Sequence, residues 1–96
     1  MELNSTEDRL LKYEAIDREL IRAKKLYPTF PTNVFEQTCI MMEEAGEVVK
    51  AANDFVYEKG DKAELLMLLK DEVIQTAAMC MRMLESIEKS YWHVTK

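Results

Sequence analysis

Glycine and proline are nearly missing from this sequence: there are two of each in 96 residues. So few chain-breakers exclude a loop-rich or many-stranded fold and leave room for long uninterrupted helices. Histidine is scarcer still, with His93 alone in an unpatterned tail beside Trp92. Histidine-based metal sites and relays are therefore not expected, and His93 is expected to be incidental. Only Cys39 and Cys80 are available as thiols, each inside an apolar helical run, where cysteine serves as a small hydrophobe. No disulfide framework or zinc-type spacing follows from them. No basic stripe is present and the net charge is −5, which argues against nucleic acid as a partner. No apolar run is long enough to cross a bilayer, and "MELNSTEDRL" is too acidic and polar for a secretory leader. The expectation is a single domain over residues 1–96, in a reducing, cytoplasmic setting, with no membrane association.

What is present is helical periodicity. Ser5 with Asp8 three residues later resembles a capping box, and Tyr13, Ile16, Leu20, Ala23 and Tyr27 then recur at three- and four-residue steps. The first helix is predicted to end near Leu26, stopped by "YPTFPT". Asn33 with Glu36 opens a second helix from Val34 to about Glu58, which Lys59 and Gly60 close. Asp61 with Glu64 opens a third, reaching about Lys89. The core is thus expected over 6–89, with a tail, 90–96, that is mobile or docks on a partner subunit.

The third helix is apolar over more than half a turn, from Leu65, Leu66, Leu68 and Leu69 through Val73, Ile74 and Met79 to Met81, Met83 and Leu84. Its expected exposed arc is narrow: Glu64, Asp71, Arg82 and Glu85. Two partner helices in a short chain cannot cover such a surface. The expected fold is therefore all-α, a helix bundle of long antiparallel helices completed by homo-oligomerisation, as a dimer or tetramer. The seven methionines, including "MCMRM", follow the helix face and are expected to be core filler.

Carboxylates interrupt this pattern. Glu72 projects near the middle of the third helix's apolar arc, beside Leu65, Leu68, Thr76 and Met79. An unpaired charge there would cost several kcal/mol, so it must be protonated, paired with a cation or bound to metal. Glu44 has Ile40, Met41 and Val48 as helical neighbours, and Glu47 lies three residues on, on the same side. Glu43 projects toward the polar side with Lys50 and Asp54. A solvated face accounts for Glu43, and a core salt bridge to an arginine or lysine of another helix is an ordinary role for Glu72. The more specific alternative is three inward carboxylates from two helices converging on a hard divalent cation.

"EEAGE" at 43–47 and "EVIQ" at 72–75, with 24 residues between them, resemble the motifs of the MazG-like branch of the all-α NTP pyrophosphatases. The family pattern is E-x-x-E on one helix and E-x-x-D on the next. The likeness spans about residues 34–86 and includes Gly46, whose place in mid-helix suggests close approach of another helix. The resemblance implies cleavage of a ribo- or deoxyribonucleoside triphosphate to the monophosphate and pyrophosphate. By it, Glu44, Glu47 and Glu72 are the catalytic residues and hold Mg²⁺ or Mn²⁺, with one glutamate accepting a proton from water. Gln75 stands where the pattern has aspartate. Its amide oxygen can ligate weakly or through water but adds no charge. Glu43 and Asp71 are then supporting acids. Lys50 and Arg82 are candidates for the phosphates, and Phe30, Phe35, Tyr91 or Trp92 for the base. Two alternatives remain. One is a helical assembly module of the same fold that has lost catalysis, as Gln75 suggests. The other is an oxygen-using di-metal bundle, which neither Glu44 nor Glu72 supports, lacking a histidine three residues on.

Overall fold

The computed structural model describes residues 4–94 and contains three long helices and one short 3₁₀ turn. Helix α1 spans Ser5–Leu26, α2 Val34–Tyr57 and α3 Lys62–Tyr91, with the 3₁₀ turn at Trp92–Val94. No strand occurs among the described residues, so the all-α expectation holds. No described helix is long and apolar enough to cross a membrane.

Local side chains set the helix ends. Asn33 Oδ1 accepts from the N–H groups of Phe35 (2.9 Å) and Glu36 (3.2 Å), and Asp61 Oδ1 accepts from Ala63 N–H (3.0 Å). Helix α1 starts one residue earlier than the Ser5 box suggests. Asn4 is its N-cap, accepting from Glu7 N–H at 2.8 Å, while Ser5 is already helical. Asparagine is as good a cap as serine, and its amide oxygen satisfies an orphan donor of the first turn. Between α2 and α3 the chain reverses at Gly60, where φ is +144°, a conformation that side chains disfavour. Lys62 reinforces that corner by donating to the carbonyls of Phe55 and Glu58 at the end of α2.

Helix α3 is the hub: it packs on both α1 and α2, while α1 and α2 do not pack on each other. A groove is therefore left between α1 and α2 with α3 as its floor. The connector 27–33 crosses one end of it and is pinned from below by Gln37, which is wholly buried. Gln37 Nε2 donates to the Pro31 carbonyl (2.7 Å) and to Ser86 Oγ (2.8 Å). Tyr91 Oη accepts from Val34 N–H at 3.0 Å, so the end of α3 docks on the start of α2 within the chain. Residues 95–96, the last of the expected tail, lie outside the described residues.

Three expectations change. Arg82 is not on an exposed arc of α3 but 94% buried, because α1 and the connector cover the later turns of that face. Glu85, expected beside it, is half-covered and pairs with Lys24 of α1 at 3.0 Å. Conversely, much of the apolar arc is open: Leu66, Leu68, Val73, Met81 and Leu84 are exposed, since one neighbour on each side cannot wrap α3. At Gly46, finally, a Cβ would meet nothing within 4 Å, so no element of this chain makes the close approach expected there.

The chain is under-packed for its mass. Among the described residues, only Leu20, Ala23 and Ala78 are buried apolar residues. The accessible surface is 7554 Å², against about 5,700 Å² for a compact monomer of this mass. The radius of gyration is 15.8 Å where about 12.5 Å is ordinary for this length.

Candidate functional site

The groove between α1 and α2 opens into a cleft of about 470 Å³. Helix α1 contributes Glu19, Arg22 and Ala23, α2 contributes Ile40, Glu43 and Glu44, and α3 contributes Gln75, Met79 and Arg82. The connector adds Thr29, Phe30 and Pro31. Three carboxylates thus share one space with two guanidinium groups.

Glu44 is the electrostatic centre of the acidic side. Burial pushes its carboxyl above the ordinary range, and Glu72, Glu47, Glu19 and Glu43 push it further, in that order. The three motif acids and Glu43 therefore form one neighbourhood, as their spacing implies. They do not form a closed ligand shell: among the described residues, no three His, Cys, Asp or Glu side chains are gathered tightly enough to hold a metal ion. Glu47 is exposed and Glu72 is half-buried with Oε2 buried and without a hydrogen-bond partner; neither lines the cleft, which of the three motif acids holds Glu44 alone. Thr76 does not satisfy Glu72 Oε2, since its hydroxyl donates to the Glu72 backbone carbonyl (2.9 Å). Gln75 lines the same cleft as Glu44, whereas Asp71 is exposed and outside the lining.

Of the two basic candidates, only Arg82 lines the cleft. Lys50 is exposed and outside the cleft of its own chain. Arg82 is in the wall, donating to the Tyr27 carbonyl and lying 4.9 Å from the Phe30 ring centroid. No carboxylate lies within 4 Å of it among the described residues. Its remaining donors are not sealed from solvent, so the guanidinium offers N–H groups at the cleft wall without a protein carboxylate to answer its charge.

Two cleft residues escaped the sequence reading. Glu19 and Arg22 on α1 form a two-bond pair, Arg22 Nε to Oε2 at 2.9 Å and Nη2 to Oε1 at 2.6 Å. Glu19 is largely covered while Arg22 is more than half exposed, so the pair forms a rim with its acid inward. On sequence alone a Glu and Arg three apart are an ordinary helix-surface pair. Only the packing of α1 on α3 turns them toward Glu44.

Compared with known proteins, the chain matches no protein-family model, no curated protein and no solved structure.

Proposed function

We propose that this chain is a metal-dependent nucleoside triphosphate pyrophosphohydrolase of the MazG-like type, acting in the α1–α2 cleft. The observation that carries the reading is that one cleft is lined both by a crowded carboxylate, Glu44, and by a largely buried guanidinium, Arg82, with no carboxylate within 4 Å. A triphosphate accompanied by divalent cations satisfies both, since its metals answer the acids and its oxygens answer the arginine.

The donor set fits a hard cation. Carboxylate oxygens of Glu44, Glu47 and Glu72 with the Gln75 amide oxygen are the ligand type that Mg²⁺ or Mn²⁺ takes, and Glu72 Oε2 is an orphan acceptor. When bound, such a metal supplies charge neutralisation and a more acidic water. The chain's own residues do the rest. Arg82 holds a phosphate against the wall, Phe30 and Met79 exclude water, and Glu43 or Glu47, less buried than Glu44, accepts the proton. In this reading the protein is a homo-oligomer, consistent with its excess exposed surface.

The degenerate assembly module is the second reading. Gln75 favours it, because a neutral residue stands where the motif has a fourth charge. Pyrophosphate release from a panel of ribo- and deoxyribonucleoside triphosphates, with Mg²⁺, Mn²⁺ or chelator, separates the two. Metal-dependent release with a monophosphate product, lost in Glu44→Gln and Glu72→Gln, is expected. Silence across the panel, with no recovery in Gln75→Asp, would move the assignment to the module.

A further inference from the structure

The face of α2 that turns away from α3 carries a regular pattern. Phe35, Met42, Val49 and Val56 recur every seven residues and are 71, 58, 69 and 60% exposed. Between them, four residues after each of the first three, come Cys39, Gly46 and Asn53, all exposed. At ~100° per residue these positions share one face, with the alternating four- and three-residue spacing of a helix–helix seam. It runs nearly the whole length of α2, and Gly46 at its centre faces open space.

We propose that this stripe is the seam on which a second copy of the chain docks, antiparallel and two-fold, crossing at Gly46. Area argues for a copy as occupant. The surface exceeds that of a compact monomer by about 1,900 Å² per chain, so two chains have an amount to bury that is typical of obligate homodimers. One helix pair does not consume it, and the exposed Leu66, Val73, Met81 and Leu84 of α3 supply further apolar surface.

The arrangement of residues argues for the register. The stripe is symmetric about Gly46 to within one residue, so a two-fold axis there sets Cys39 against Asn53 of the other copy and brings Phe35 to within one residue, about 1.5 Å of helix rise, of Val56, and Met42 likewise of Val49. Each large side chain meets a smaller one. Gly46 meets Gly46 where the helices come closest, which assigns the mid-helix glycine a partner that its own chain does not provide. Glu43 and Lys50 lie on the same flank of the stripe, so antiparallel packing sets Glu43 beside Lys50 of the other copy. A parallel register would face that flank with the opposite one, where Thr38, Ala45 and Ala52 carry no charge. Because Glu43 also lines the cleft, the two-fold brings the second copy's Lys50 to the cleft margin.

Sedimentation equilibrium on the full chain tests association, with an even multiple of 11.2 kDa expected. Val49→Glu is expected to raise the dissociation constant at least ~10-fold, since two buried charges are introduced per two-fold contact. Should that variant fail to fold, oxidative cross-linking decides. Asn53→Cys in a Cys80→Ser background is expected to give an intermolecular disulfide with Cys39 that Cys39→Ser removes. A monomeric wild type, or an oligomer insensitive to Val49→Glu and without that cross-link, would overturn the seam. A Cys39–Cys39 bridge between otherwise unaltered chains would overturn the antiparallel register. Mass and cross-linking are independent of turnover, so this test stands whatever the outcome for hydrolysis.

Discussion

Replacing Arg82 by methionine separates a guanidinium kept for a ligand from one kept for the fold. The side chain is 94% buried, bonded to the Tyr27 carbonyl and stacked near Phe30. The substitution removes a charge-assisted hydrogen bond of about 1.5–3 kcal/mol and a cation–π contact of about 1–2 kcal/mol. It also removes the desolvation penalty of a guanidinium with no carboxylate within 4 Å, which is several kcal/mol. Methionine keeps the volume and a favourable sulfur–ring contact with Phe30. The Tyr27 carbonyl, on an exposed residue, can turn to water. These contributions nearly cancel, so the expected change in unfolding free energy is within about 1–2 kcal/mol of zero, in either direction. Urea unfolding at fixed protein concentration reads it, because stability in an associating chain depends on concentration. Binding of a non-hydrolysable triphosphate with Mg²⁺, followed by calorimetry, should fall ~10- to 100-fold. A loss of more than about 3 kcal/mol with binding unchanged would mean that Arg82 is a structural brace and the anion argument is wrong.

Glu44→Gln should stabilise the chain at neutral pH without divalent cation, by under about 1 kcal/mol because solvent still screens the group. The sign follows from linkage. A carboxyl raised on folding favours the native state while protonated, so that stability fades as pH rises from the ordinary carboxylate range through the raised value. The gain over wild type should therefore vanish in melts near pH 4; a variant less stable at neutral pH would contradict the crowding of Glu44. Saturating Mg²⁺ should raise the wild-type melting temperature, by the equivalent of about 2–3 kcal/mol at a hundredfold excess over its dissociation constant. That shift should be absent in Glu72→Gln, and its persistence would remove Glu72 from the ligand set. Gln37→Ala should cost about 2–4 kcal/mol in denaturant unfolding, from two lost hydrogen bonds and the cavity left behind. A cost below 1 kcal/mol would show that the connector does not depend on it.

The helices were legible because their punctuation is local. Asn33, Asp61, Gly60 and the two prolines act within a turn of themselves, and the helix limits fell within two residues of expectation. The grouping of Glu43, Glu44 and Glu47 was legible for the same reason, being a matter of spacing along one helix. What escaped depends on which helix covers which face. Arg82 looked exposed because nothing in α3 announces that α1 lies on its later turns and not on its earlier ones. Glu19 and Arg22 looked like a surface pair because their orientation is decided by α3. Gln37, polar and four residues after the Asn33 cap, gave no sign of being the most buried large side chain. Gly46 was expected to admit another helix closely, but no element of this chain approaches it.

Each anomaly in or beside the cleft, taken singly, is a defect. Glu44 is crowded by four other carboxylates, Glu72 Oε2 has no donor, and Arg82 has no counter-charge. A chain that needed only to fold would relieve the first with glutamine and the last with methionine, as the two substitutions above are expected to demonstrate. On the proposed reading, charged positions of opposite sign in and beside one cavity are what a site for a metal–polyphosphate requires, because neither metal nor anion alone answers all of them. A cation by itself would leave Arg82 unmatched, and an anion by itself would meet Glu19, Glu43 and Glu44. Mutual dependence follows: Mg²⁺ and triphosphate should each bind more tightly in the presence of the other, by the same factor. A calorimetric cycle in which the two bind independently would break the link between the acids and the arginine on which the assignment stands.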